Sequence, residues 1–270
     1  MCKVPANDSE ALKSSLMGLF EKKRCRNFYI YVQDLNVEEP KTWGDINLSK
    51  QPMHDVFKKF KLEENTIDFL GHAVALYRND EYMGRPAIEA IQKIQLYVDS
   101  LGKYGDSPFL YPIYGLGGLP ESFSRLCAIH GGTYMLNTGV DEILFGADGK
   151  VCGIKSGEET AKAPLVICDP SYVMNVSNKV KPTGKIIRCI CLLDHPLPNT
   201  HNAQSCQIII PQKQLGRKYD IYVTMVSHAH AVCAKGLYVA IVSTTVETDK
   251  PELEIRPGLE LIGGALETFV

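Results

Sequence analysis

Apolar residues recur at helical spacing along the first third of the chain and at strand spacing along much of the rest. Leu12, Leu16, Leu19 and Phe20 fall at i, i+4, i+7 and i+8, behind Asn7 and Glu10, which have the spacing of a capping box. Lys22, Lys23 and Arg24 would close this helix, where cations suit the negative end of the dipole. Residues 28–32, FYIYV, read either as a short strand or as a buried extension of the helix. A polar loop with Pro40 and Gly44 follows, and Ser49 then precedes a short helix carrying Met53, Val56, Phe57 and Phe60. Ile67, Leu70, Val74 and Tyr77 stripe the next helix. Pro86 opens a fourth, with Ile88, Ile91, Ile94, Val98 and Leu101 on its apolar face and a C-cap expected at Gly102. These elements predict a small all-α unit over residues 5–107.

After Pro108 the pattern changes. Residues 119–130 predict a helix with Phe123, Leu126 and Ile129 inward, ended by Gly131 and Gly132. Strand-like runs follow: TYML, VDEILF, VCGIKS, LVICD, IIRCICLL, CQIII, DIYVTMVS and LYVAIVSTTV, with Ala147, Asp148 and Gly149 as a hairpin turn between the second and third. Residues 257–270 read as helical. The expected fold class is therefore α+β, a helical unit followed by a β-rich unit over 108–270. The chain opens almost on a helix cap and ends in an apolar segment, and a sheet of this size wants further strands on its edges. A piece of a longer fold, incomplete at both ends, is the expectation.

Composition narrows the class. At 270 residues the chain can form one large domain or two modest ones. Its 45% hydrophobic and 22% charged content is that of a folded globular chain, not a disordered one. A net charge of −2, from 29 basic and 31 acidic residues, carries no global nucleic-acid footprint, so no nucleic-acid partner is expected. No apolar run approaches the roughly 18 residues of a membrane helix, and MCKVPANDSE lacks the order of a signal peptide. Of nine cysteines, Cys25, Cys127, Cys152, Cys168 and Cys233 stand singly in apolar stretches, and Cys189 and Cys191 alternate within one strand-like run. Without CxxC or paired Cys/His spacing they read as small buried hydrophobes rather than metal ligands.

Candidate chemistry is sparse. YGLGGLP at 114–120 places Gly115 and Gly117 like a dinucleotide fingerprint, but Pro120 takes the third glycine position and no βαβ unit surrounds it; a tight turn feeding a helix accounts for it. His228 and His230 would share one face of a strand, as metal ligands could, but lack a third ligand nearby. Asp169-Pro170-Ser171 and Asp194-His195-Pro196 read as strand ends, no nucleophile elbow is present, and no acid/base pair has catalytic spacing. In the helical unit, Met17 and Met53 stand beside small Gly18, Gly71, Ala73 and Ala75, a mixture that allows either tight core packing or a groove for an apolar ligand.

Residues 107–137, SPFLYPIYGLGGLPESFSRLCAIHGGTYMLN, closely resemble the signature region of Rab GDP-dissociation inhibitors. LMGLFEKKR (16–24), DFLGHAVALYR (68–78), SCQIIIPQ (205–212) and IVSTTVET (241–248) match as well, so the resemblance spans essentially the whole chain. Rab escort proteins share the superfamily but match less continuously, so a Rab escort protein-like chain is the nearest alternative and not the first choice. The resemblance implies a larger domain like that of FAD-dependent monooxygenases but holding no flavin or other cofactor, and a helical domain that takes a geranylgeranyl tail. It implies a non-enzymatic partner of prenylated, GDP-bound Rab GTPases, monomeric and cytoplasmic, with transient membrane contact in vesicle transport. Carried onto this sequence, the Rab-binding platform comprises Arg125, Thr133, Met135 and Gly118, where the family usually has glutamate in place of Gly118. The mobile loop of membrane recruitment corresponds to Lys103, Tyr104, Gly105, Asp106 and Ser107. Leu16, Met17, Phe20, Ile67, Leu70 and Val74 are the expected prenyl-binding residues. A nonfunctional or regulatory fragment and a flavin-dependent oxidoreductase are the competing readings, the latter opposed by the missing phosphate-binding glycine loop.

Overall fold

A computed structural model describes the chain except Met1, Ala6, Asn7, Asp106 and Ser177, and the side chains of Asp8 and Ser9. The expected cap at Asn7 and the Asp106 position of the expected mobile loop therefore lie outside the described residues.

The N-terminal stripe builds two helices instead of one, α1 (Asp8–Lys13) and α2 (Leu19–Asp34). Between them the Ser14 hydroxyl accepts the Leu16 N–H at 3.2 Å, a local bond that competes with the helical one, and Gly18 is extended. Leu12, Leu19 and Phe20 are consequently exposed, and Lys22, Lys23 and Arg24 fall inside α2 rather than at its end. Residues 28–32 are helical. Cys25, Phe28 and Val32, at i, i+3 and i+7, form the buried face, so period 3.6 prevails over the β-propensity of FYIYV.

Helix α3 (Met53–Lys59), α4 (Glu64–Asp68) with a π-helical turn at Phe69–Val74, and α5 (Ala87–Tyr104) close around this face. Phe28 sits at the centre, its ring 5.6 Å from Phe57 and 5.4 Å from Phe60. Helix α5 runs past Gly102 and ends at Gly105, whose φ of +87° suits glycine. At Gly71 the small residue serves tight packing and not a groove, because the Tyr82 phenol occupies the place of a Cβ.

The second core belongs to an antiparallel sheet in the order β5-β6-β7-β4-β8. Its strands are β4 (Ile186–Leu193), β5 (Ser205–Ile210), β6 (Ile221–Ser227), β7 (Tyr238–Thr245) and β8 (Glu267–Phe269). Ile187, Cys189, Cys191 and Leu193 point inward with Ile221, Val223, Met225, Ala240 and Val242, beneath α7 (Pro251–Glu254) and α8 (Arg256–Ile262). Only the first part of 257–270 is helical. Gly263, at φ +79°, ends α8, and the tail then finds ladder partners on the edge of β4, with Phe269 opposite Ile190.

The chain forms two compact units, Met1–Leu116 with Ile186–Val270, and Gly117–Lys185. The helical segment thus groups with the five-stranded sheet instead of separating from it at 107/108, and the ionic contacts described below join them. The second unit contains α6 (Gly118–Ile129) and a sheet of β1 (Glu142–Phe145), β2 (Val151–Ser156) and β3 (Glu159–Lys162). The expected hairpin is present between β1 and β2, with the Gly146 N–H bonded to the Lys150 carbonyl at 2.8 Å. Phe123, Leu126 and Ile129 are exposed, contrary to expectation, and none of them joins a hydrophobic core among the described residues. TYML and LVICD form no strands, since neither finds a ladder partner among the described residues. Cys152 and Cys168, expected to be buried, are exposed as well.

Candidate functional site

The expected platform lies wholly in the second unit. Gly118 is the first residue of α6 and Arg125 follows two turns later, so they share a helix face with Glu121 between them. Glu121 precedes Arg125 by four residues, the favourable order for a helical pair, yet Arg125 makes no ion pair among the described residues and its guanidinium is exposed. Gly131, at φ +80°, turns the chain out of α6. Thr133 and Met135 follow in an exposed irregular segment, Met135 being 64% exposed. The structure therefore gathers Gly118 and Arg125 on one helix face and sets Thr133 and Met135 just beyond its C-terminus.

The expected mobile loop begins inside a helix. Lys103 and Tyr104 belong to the last turn of α5, and the Gly105 N–H bonds the Leu101 carbonyl at 3.0 Å. The Ser107 hydroxyl accepts the Phe109 N–H at 3.2 Å.

The six expected prenyl-binding residues do not converge on one opening. Leu70 and Val74 are buried in the helical core, and Ile67 and Met17 pack at its margin. Leu16 is half-buried, and Phe20 is 80% exposed. A hollow beside Cys2, Lys3, Glu10 and Lys13 and another beside Arg217, Asp249 and Leu253 include none of them.

A site invisible in the sequence joins the helical segment to the sheet. The His72 ring is buried with Nδ1 2.7 Å from Asp220 Oδ2 and Nε2 3.1 Å from Asp80 Oδ1. Lys213 reaches back from the sheet side, bonding Asp68 at 2.8 Å and Glu64 at 3.2 Å and lying 3.5 Å from Asp80. Burial disfavours the charged ring of His72, but its bonds to Asp220 and then Asp80 outweigh this and raise its pKa above the ordinary 6.5. His72 and Asp220 are 148 residues apart, so no local spacing relates them. The available signal was a lone histidine inside the apolar stripe of Ile67, Leu70 and Val74.

Donor atoms of Asp68, His72 and Asp80 lie within 4.8 Å of one another, close enough in principle for a metal ion. Lys213 already supplies a cation, and both ring nitrogens of His72 face carboxylates, so the cluster is an ion network in which His72 and Lys213 pair with the surrounding carboxylates. His228 and His230 do not share a strand face. The Ser227 hydroxyl accepts the Ala229 N–H at 3.2 Å, which ends β6 and turns both histidines into a 3₁₀ turn.

The family described as GDP dissociation inhibitor matches residues 1–270. The chain belongs to the GDP dissociation inhibitor family. It is 54% identical over 268 residues to Rab GDP dissociation inhibitor beta of Rattus norvegicus, covering 99% of this chain and 59% of the relative. It is 52% identical over 269 residues to a probable secretory pathway GDP dissociation inhibitor 1 of Schizosaccharomyces pombe, covering 100% of this chain and 60% of the relative. The crystal structure of a Rab GDI from Plasmodium falciparum superposes with a TM-score of 0.90 at 54% identity, over 99% of this chain and 60% of that one. The chain thus spans about 60% of the length of these relatives, and its α+β architecture is that of the family. No helix among the described residues is long and apolar enough to cross a membrane.

Proposed function

We propose that this chain acts as a GDP-dissociation inhibitor for prenylated, GDP-bound Rab GTPases, as a binding protein that makes and breaks no bond. The observation that carries the reading is the family match along the entire chain. The exposed Arg125, without an ion pair among the described residues, supports it, because a guanidinium fork suits carboxylates and carbonyls of a partner. In this reading Gly118, Arg125, Thr133 and Met135 face the GTPase, and residues around Lys103, Tyr104, Gly105 and Ser107 meet the membrane transiently. Leu16, Met17, Phe20, Ile67, Leu70 and Val74 serve the geranylgeranyl chain.

The mechanism is two-site extraction. A lipid anchor gains roughly 0.8 kcal/mol per buried methylene in the bilayer, so its removal requires an alternative apolar site. Because Leu70 and Val74 are buried, the lipid must part the helical core, and the irregular π turn that carries both is the natural place to open. Linking lipid and GTPase contacts raises effective affinity, and tighter binding of the GDP-bound form than of the nucleotide-releasing form slows GDP dissociation. The cytosol, a monomeric state and a role in vesicle transport follow from the same reading.

The test is capture of GDP-loaded Rab in prenylated and unprenylated forms, with GDP release followed by a fluorescent nucleotide. Preferential retention of the prenylated form and slowed release are expected. Arg125→Ala should weaken binding about tenfold, and Gly118→Glu should strengthen it. If the folded protein retains neither form, the reading fails.

A further inference from the structure

We propose that the helical segment and the five-stranded sheet are joined by a proton-operated clasp, in which the His72 imidazolium grips Asp220 on one side and Asp80 on the other. The geometry carries this. A neutral imidazole has one N–H and can donate to only one neighbour. Here Nδ1 lies 2.7 Å from Asp220 and Nε2 lies 3.1 Å from Asp80, so only the doubly protonated ring satisfies both carboxylates. The Tyr77 carbonyl, 3.1 Å from Nδ1, is a further acceptor that a deprotonated nitrogen would repel. No solvent reaches the ring to replace a lost bond, since His72 and Asp220 are both about fully buried.

The clasp bears on the joint itself. Asp220 uses its other oxygen to accept the Gln212 N–H at 2.8 Å, and its own N–H bonds the Arg78 carbonyl at 3.2 Å, a backbone link from sheet to helical segment. Other charged and titratable groups face the ring from every side. Asp68 and, through Lys213, Glu64 come from the α4 side; Asp80 and Tyr82 come from the turn before α5. Glu89 and Lys93 of α5 engage Tyr77, while Tyr222 comes from β6 and Asp220 is the residue just before it. Around the ring the carboxylates Asp220, Asp80 and Asp68 outnumber the cations Lys213 and Arg78, which favours the imidazolium.

The folded-state pKa of His72 lies above its ordinary 6.5, so the clasp contributes its full stability below about pH 6.5 and loses it as pH rises through the folded value. Alkaline conditions therefore open the joint.

The 270-residue chain with ¹³C-labelled histidine tests this by NMR, the His72 resonance being assigned by its loss in His72→Gln. His72 should titrate above 6.5, and Asp80→Asn, at a half-exposed position, should lower the midpoint by about one unit. Hydrogen exchange at the Gln212 and Asp220 amides, corrected for intrinsic rate, should lose protection by about tenfold for each unit by which the midpoint exceeds the unperturbed value. A midpoint at or below 6.5 overturns the proposal, as does amide protection that stays flat while His72 titrates. In His72→Gln the pH dependence at these two amides should vanish, and its persistence would also overturn the clasp.

Discussion

Glu254 shows how one carboxylate can order a whole corner of the sheet. It is buried, yet Arg217 Nη2 donates to it at 2.7 Å, the Thr248 N–H and hydroxyl at 2.7 Å each, and the Glu247 N–H at 3.0 Å. Burial alone would raise its pKa, but the Arg217 and Thr248 bonds overcome this and lower it below 4.5. Removing the carboxylate leaves Arg217 with Glu247 as its acidic partner, at 3.1 Å, and strands three further donors, so Glu254→Ala should cost about 2 kcal/mol. Urea denaturation followed by circular dichroism at neutral pH measures this. The sign of the pH dependence follows from the depressed pKa. Stability from Glu254 is present above 4.5 and lost as pH falls through the folded value, so the variant's acid limb should be shallower than the wild type's. An unchanged acid limb would mean that Glu254 is not the group that titrates there.

At the scale of elements, the seating of α8 on the sheet depends on Gly258. A Cβ there would lie 2.5 Å from Val242 Cγ1, 3.1 Å from Ile221 Cγ2 and 3.3 Å from Val223 Cγ2. Gly258→Ala gains about 1 kcal/mol of helix propensity, but overpacking a filled core costs about 1–3 kcal/mol. Net destabilisation of about 1 kcal/mol is expected by thermal denaturation. Val242→Ala, by opening space, should make the double variant better than additive. The same contrast between local pattern and packing explains what the sequence revealed. Alternation in IIRCICLL was readable because every second residue, Ile187, Cys189, Cys191 and Leu193, is buried. The stripe of α5 was readable because Ile91 and Ile94 face the core. FYIYV could not be decided, since its residue types favour strands while its neighbours at Cys25 and Val32 demand a helix. The polar run ETAK gave no strand signal; β3 exists through its ladder to β2. The platform positions were accessible only through family likeness, and the His72–Asp220 pair not at all, because a contact across 148 residues leaves no periodic trace.

At the scale of the molecule, burial is unevenly divided. Both hydrophobic cores lie in the first unit, at Cys25–Ile94 and Ile187–Ile262, and no hydrophobic side chain between Gly117 and Lys185 is buried among the described residues. Phe123, Ile129, Leu165 and Ile167 stand exposed there, Ile167 at 91%. A unit with so few apolar contacts opens locally at little free-energy cost, while exposed apolar surface of this extent suits a partner. Trypsin should therefore cut first within 117–185, where Lys155, Lys162, Lys179, Lys181 and Lys185 are all exposed, and mass spectrometry of early fragments identifies the site. First cleavage in the loops joining β4 to β7 would contradict this ordering of stabilities. The same digestion reports on function. If Arg125, Thr133 and Met135 face a GTPase, prenylated Rab–GDP should slow cleavage inside this unit by a factor that grows with its free concentration over its Kd, because a bound partner adds to the cost of opening. Cleavage at Lys213 offers the internal control, since its ammonium is held by Asp68 and Glu64 outside the second unit. Protection confined to 117–185 would place the partner on α6 and the segment after it, whereas protection confined to Lys213 would remove the GTPase from the proposed platform.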